Sequence, residues 1–179
     1  EDGVVQIDLR RMNRILEINA EERWARIEPG VVLDELNMAL APYGLFFGPE
    51  TSTSNRCMIG GMVGNNSCGS TSIVYGATRD RLLALDTLLS DGSDVRFEAL
   101  DARAFAQKLQ APGLEGRVYR HIHDLLSDPE VAREIRSRYP KPEIHRRNTG
   151  YALDRLLADQ PFQQDGPAFN WCHLLAGSE

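Results

Sequence analysis

The spacing of apolar and polar residues divides this chain into a strand-rich start, a long stretch without period, and a helical second half. Residues 4–9 (Val-Val-Gln-Ile-Asp-Leu) and 15–18 (Ile-Leu-Glu-Ile) are short β-type runs. Residues 24–28 (Trp-Ala-Arg-Ile-Glu) alternate apolar with polar, the period of a half-buried strand, until Pro29-Gly30 breaks it. Residues 31–40 carry Val32, Leu33, Leu36 and Leu40 at the spacing of an amphipathic helix, with Pro42 and Gly44 marking its exit. Residues 82–89 and 94–98 are strand-like and flank Ser90-Asp91-Gly92-Ser93, which predicts a hairpin.

From residue 101 to 139 the period is helical. Asp101 is placed to cap a helix through Leu109, with Ala102, Phe105, Ala106 and Leu109 on one side. Residues 118–126 and 129–139 predict two more helices separated by Ser127-Asp128, and Pro140 and Pro142 close that section. A short helix is expected over 152–158. The order of elements is not the regular strand–helix alternation of a doubly wound sheet, so the expectation is α+β with a mixed or antiparallel sheet flanked by helices.

Residues 48–78 have no clear period and are rich in Gly, Ser, Thr and Asn. A stretch of that length inside a domain is usually functional or disordered, and Met58, Ile59, Met62 and Val63 embedded there favour an ordered, packed loop. Glycine lets main chain approach a ligand closely and adopt positive φ. Successive amides can then converge on an anion, with hydroxyl and amide side chains adding uncharged donors. A tight loop that satisfies only itself is the competing reading.

The formal net charge of −6 argues against a general binder of nucleic acid or anionic membrane. No stretch reaches the roughly 18 apolar residues of a membrane span. Cys57, Cys68 and Cys172 are odd in number, without the spacing of a disulfide framework or a metal site, and fit reduced small core residues in a cytoplasmic protein. No Gly-x-Gly-x-x-Gly follows a strand and no Walker-type loop occurs, which weakens nicotinamide-type and P-loop readings. Both ends look cut, so a piece of a longer chain is expected.

Five segments in order carry a resemblance: Ile27-Glu28-Pro29-Gly30-Val31; Ile59-Gly60-Gly61 with Asn66, Gly69 and Tyr75-Gly76; Leu88-Leu89-Ser90-Asp91-Gly92; Arg147-Asn148-Thr149-Gly150-Tyr151-Ala152-Leu153; and Leu174-Leu175-Ala176-Gly177-Ser178-Glu179. Together they resemble the PCMH-type FAD-binding domain of the vanillyl-alcohol oxidase/p-cresol methylhydroxylase flavoproteins. The nearest branch in appearance is the FAD-linked D-lactate, glycolate and D-2-hydroxyglutarate dehydrogenases. Phe46-Phe47-Gly48-Pro49-Glu50-Thr51-Ser52-Thr53 is similar to the large bacterial members with a C-terminal iron–sulfur region.

The resemblance implies a two-subdomain FAD-binding domain, here partial over residues 1–179, with 101–144 as a less diagnostic helical insertion. It places Pro49, Ser52 and Thr53 along the cofactor. Ile59, Gly60, Gly61, Gly64, Asn65, Asn66 and Gly69 are placed at pyrophosphate or ribitol, Gly76 at the loop's return, and Ser178 and Glu179 near the adenosine half. The family's arginine–triglycine phosphate loop would precede residue 4, and its cap and any iron–sulfur motifs would follow residue 179. The implied activity of the parent is oxidation of a small D-2-hydroxy acid, with the parent cytoplasmic or peripheral to an inner membrane. The piece alone is expected to be inactive, with tight FAD binding in doubt. A flavoenzyme acting on another alcohol and a non-catalytic interaction module are the alternatives. The sequence names no electron acceptor and no catalytic base.

Single residues stay open at this level. Arg147 and Asn148 could meet a substrate carboxylate or the flavin edge, since guanidinium pairs well with carboxylate; a solvated basic turn is the other reading. His121 and His123 face different sides of a helix and suit no metal. His173 reads as a hydrogen-bonded core histidine. Tyr75 and Tyr151 are balanced between flavin contact and core. Arg133, Arg136 and Arg138 read as a solvated face.

Overall fold

A computed structural model describes the chain except residues 1, 2, 4, 5, 142, 145–149 and 179. It divides into two compact units, residues 1–78 and 79–179.

In the first unit, β1 (Ile15–Asn19) and β2 (Trp24–Ile27) form an antiparallel hairpin with an irregularity between Ile15 and Glu17. The helix α1 (Leu33–Leu40) buries Leu33, Leu36 and Leu40, the i, i+3, i+7 stripe of its sequence. It starts two residues later than the pattern predicts because Val32 is extended and bridges Met58. Val31, Leu33, Leu36, Leu40, Ile59 and Met62 make a small aliphatic core, with Ile15, Ile18, Ala25 and Ile27 of the hairpin packed against it.

The strand expected over residues 4–9 does not form across its described part. Gln6 to Leu9 carry no strand pairing, and Asp8 instead accepts from the amide and guanidinium of Arg10, turning the chain. The stretch 48–78 is also not one loop. It holds α2 (Ile59–Gly64), α3 (Ser72–Tyr75) and a 3-10 turn, Thr78–Arg81, that begins at its end. Three glycines in α2 each cost about 1 kcal/mol against alanine. Burial of Ile59 and Met62, one turn apart, offsets that cost.

The second unit opens with the expected hairpin. β3 (Leu85–Leu88) pairs antiparallel with β4 (Asp94–Phe97), from Leu85 opposite Phe97 to Leu88 opposite Asp94. Its turn is closed by Leu89 N–H to Ser93 O at 2.9 Å and by Asp91 Oδ1, which accepts from the Ser93 amide at 3.1 Å.

Helices α4 (Ala102–Leu109), α5 (Gly113–Ser127) and α6 (Pro129–Arg138) follow. Asp101 caps α4 by accepting from Ala104 N at 2.7 Å, and Asp128 caps α6 through Glu130 N at 2.8 Å. The inward face of α4 is Ala104, Phe105 and Leu109; Ala102 and Ala106 are exposed, contrary to the expected side. Phe105 sets the helix's rotation, because it stacks edge-on to Phe169 at 4.7 Å and to Tyr119 at 5.8 Å. α5 begins earlier than residue 118, at Gly113 (φ 70°), directly after Pro112.

Two short helices, α7 (Leu153–Leu157) and α8 (Cys172–Leu175), complete the unit. Cys172 is buried, and burial pushes its thiol up to about 12. His173 is the hydrogen-bonded histidine its apolar setting predicts: Nδ1 lies 3.3 Å from buried Asp159 Oδ2. Asp159 also accepts from the Asn170 amide at 3.4 Å, and Asn170 Nδ2 donates to Leu83 O at 3.0 Å. The sheets and helices are those of an α+β fold, and both sheets among the described residues are antiparallel.

Candidate functional site

The glycine-rich stretch is held by its main chain against neighbouring main chain. Ile59 N–H donates to Val31 O at 2.9 Å and Gly60 N–H to Pro29 O at 2.8 Å, so α2 starts on the turn that ends β2. A β-carbon on Gly60 would lie 2.7 Å from Pro29 Cβ, which only glycine avoids. Gly69 is pressed harder: a β-carbon there would stand 1.8 Å from the Glu50 carbonyl oxygen. Gly76 has φ 76° and ψ −168°, a conformation that is nearly glycine's alone.

Gly61 is different. No atom lies within 4 Å of where its β-carbon would be, and its N–H has no partner among the described residues. It opens on a cleft of about 720 Å³ lined by Gln6, Ile7, Asp8, Leu9, Arg10, Pro29, Arg56, Met58 and Gly61. That volume lies within the usual range of small-molecule sites.

The charges in this cleft do not cancel. Arg10 grips Asp8 with Nε at 3.0 Å and Nη2 at 2.6 Å, and holds that carboxyl down to about 2. Arg56 donates to the Asn55 side-chain oxygen at 3.1 Å and has no carboxylate partner among the described residues. One guanidinium charge therefore remains beside an unspent amide and a bare Cα, a donor set suited to an anionic oxygen.

The other residues singled out by sequence sit as follows. Pro49 is fully buried and Ser52 exposed. Thr53 turns inward: its carbonyl accepts from Arg56 N and Cys57 N at 2.9 and 2.8 Å, and its hydroxyl meets that of Thr51 at 3.2 Å. Ile59 is in the aliphatic core. Gly64 ends α2, Asn65 follows as its exposed C-cap, and buried Asn66 has φ 46°. Tyr75 packs on Gly48 and edge-on to Phe46 at 5.0 Å, and Tyr151 is exposed. Ser178 is exposed in the second unit. Arg147, Asn148 and Glu179 lie outside the described residues.

The structure thus brings Gly61 to the cleft with Met58, Pro29 and Arg56, while Gly60, Gly69 and Gly76 shape the backbone within the 48–78 stretch without lining the cleft. The positive φ expected of the glycines occurs at Gly76 and not at Gly60, Gly61, Gly64 or Gly69. The cleft residues that pattern reading passed over are Arg56 and the 6–10 segment. Arg56 was visible only as the one cation inside a run of hydroxyl and amide residues.

A family model described as an FAD binding domain matches residues 1–98, more than half of the chain and all of the first unit. The chain belongs to this family of FAD-binding domains. Among curated proteins it is 43% identical over 179 residues to the D-2-hydroxyglutarate dehydrogenase of Pseudomonas putida, which covers 99% of this chain and 17% of that protein. It is 35% identical to the D-2-hydroxyglutarate dehydrogenase of Escherichia coli, over 99% of this chain and 16% of the relative. It is 31% identical to the glycolate oxidase subunit GlcD of Escherichia coli, over 89% of this chain and 32% of the relative. The chain spans about a sixth of the length of the D-2-hydroxyglutarate dehydrogenases it matches.

The cleft fits the charged part of the family's cofactor. FAD carries a diphosphate, and Arg56 with the Gly61 amide supplies one charged and one neutral donor in a place where no side chain intrudes. No helix among the described residues is long and apolar enough to cross a membrane.

Proposed function

We propose that the whole protein is an FAD-dependent dehydrogenase acting on a small D-2-hydroxy acid, and that this chain supplies part of its grip on the cofactor's diphosphate. The observation that carries this reading is the similarity, over nearly the full chain, to proteins named D-2-hydroxyglutarate dehydrogenase. Bound flavin supplies the electron-accepting chemistry. In this chain Gly61 N–H and Arg56 hold an anionic oxygen, and Gly60 and Gly69 keep the backbone at the required approach. Pro49, Ser52, Thr53, Asn65 and Asn66 border the same stretch. In the same proposal Ser178 and Glu179 serve the adenosine half, and Arg147 or Asn148 helps bind the substrate carboxylate or the flavin edge. An iron–sulfur relay elsewhere in the whole protein, and attachment at an inner-membrane surface, belong to the same proposal.

The similarity to GlcD favours glycolate as a second substrate class. The purified whole protein is expected to be yellow, and D-2-hydroxyglutarate added without oxygen is expected to bleach it. Bleaching by glycolate and not by D-2-hydroxyglutarate selects the second class, and a colourless protein that takes up no FAD overturns both. Iron content and membrane fractionation of the same preparation test the relay and the attachment.

A further inference from the structure

Arg79 is a charged residue that is 4% exposed, and its guanidinium points into the second unit's own backbone. Its Nε donates to Ala176 O at 3.1 Å and its Nη2 donates to the same carbonyl. The same Nη2 reaches Gly150 O at 3.3 Å. The two carbonyls belong to segments far from Arg79 in sequence, 97 and 71 residues away. Each stands at a left-handed glycine turn: Gly150 itself has φ 74°, and Ala176 precedes Gly177 at φ 89°.

Burying a guanidinium is costly unless its donors are met, so a residue is seldom kept there for filling alone. Space filling would take methionine or leucine, and a single carbonyl would be satisfied by a short neutral donor. A planar fork that binds two strands of main chain at once is what arginine supplies and lysine does not. The turns so tied adjoin residues singled out by sequence: Ser178, which the resemblance sets near the adenosine half, and Tyr151, open between flavin contact and core.

We propose that Arg79 is a positioning residue, whose buried guanidinium fixes the turns at Gly150 and Gly177 so that the segments they carry are held ready for the cofactor. This inference rests on the flavoprotein reading above for what the segments hold, and on geometry alone for the clamp.

The test is made in the whole protein with Arg79→Lys and Arg79→Met. Leu126→Ala, in the buried face of α5, serves as a control for lost stability. Two quantities are read: hydrogen exchange of the bonded amides of Ala176, Ser178 and Leu153, and FAD affinity with the visible circular dichroism of the flavin. Both Arg79 variants are expected to speed exchange at these amides at least tenfold, to weaken FAD at least tenfold and to alter the flavin spectrum. Leu126→Ala should lower the melting temperature and leave both quantities as in wild type.

Lysine keeps charge and length, so Arg79→Lys gives a reading even where Arg79→Met does not fold. Wild-type behaviour of Arg79→Lys in both quantities overturns the clamp. Faster exchange with unchanged FAD affinity overturns the positioning role. A wild-type protein that binds no FAD overturns that role together with the flavoprotein reading, whereas slow exchange in the variants of a flavin-containing protein removes the clamp alone.

Discussion

The hydrophobic core of the first unit is aliphatic, Val31, Leu33, Leu36, Leu40, Ile59 and Met62, and main chain closes on main chain at Gly30, Gly60 and Gly69. The second unit is filled by rings. Phe97, Phe105, Tyr119, Phe169 and Trp171 form a connected set of tilted and edge-on pairs with centroids 4.7 to 6.3 Å apart. Glycines that leave no room for a β-carbon occur in both units, Gly60 and Gly69 in the first, Gly116 and Gly166 in the second, but the buried cluster of the first is aliphatic and that of the second is built on rings. The second unit should therefore lose most on truncation of a ring, whereas the first, with a smaller aliphatic core, depends more on the fit of its glycines.

Truncation of the second unit is the largest effect expected. Phe105→Ala removes the ring that Tyr119, Phe162, Phe169 and His123 all touch. It should cost about 3–5 kcal/mol, read from urea unfolding followed by the fluorescence of the neighbouring Trp171. A loss below about 1 kcal/mol would mean that the rings repack freely and that volume does not define this unit.

Enlargement of the first unit comes next. Gly69→Ala puts a methyl group 1.8 Å from a backbone oxygen that cannot rotate away. The expected loss is about 1–3 kcal/mol, with the turn at Glu50 displaced. Chemical-shift changes confined to residue 69, without movement at Glu50 and Thr51, would break the comparison from this side.

How legible each unit was follows from the same difference. Side-chain volume leaves a period, so the hairpin at 82–98, the Asp101 cap and the helix after Asp128 could be read directly, while the start of α5 and the rotation of α4 were missed. That rotation depends on Phe169, sixty-odd residues further on, which no local window contains. Close backbone approach leaves no period. Ile59, Met62 and Val63 do stand at helical spacing, but three glycines among them hid a six-residue helix. Which glycine faces a ligand was equally hidden, since Gly60 and Gly61 are identical in sequence terms. They differ only because Pro29 occupies the space beside one of them. Buried Arg79 lies in Thr-Arg-Asp-Arg, a run that reads as a polar turn.

A smaller effect tests the local devices of the second unit. Asp101→Ala removes the acceptor of the Ala104 amide at the start of α4 and should cost about 1 kcal/mol. Asp101→Asn should recover most of it, because an amide oxygen accepts the same bond. Equal losses for the two variants in thermal unfolding would assign the effect to charge and not to the cap.

The smallest change in stability is expected where the proposed function is most exposed. Gly61→Ala adds a methyl group into open space, on a helix where alanine is favoured by about 1 kcal/mol. Folding should be unchanged or slightly strengthened. Gly60→Ala, whose methyl group meets Pro29 at 2.7 Å, should weaken folding although it is the adjacent residue. In the whole protein the order reverses for the cofactor's phosphates. The Gly61 methyl group stands on the cleft beside the unpaired amide and Arg56, and FAD affinity should fall about tenfold or more with no loss of stability. Isothermal titration and thermal unfolding on the same pair of variants separate the two. If Gly61→Ala bound FAD as wild type does, the open face of α2 would be solvent surface, and the anion would have to be sought elsewhere along 48–78.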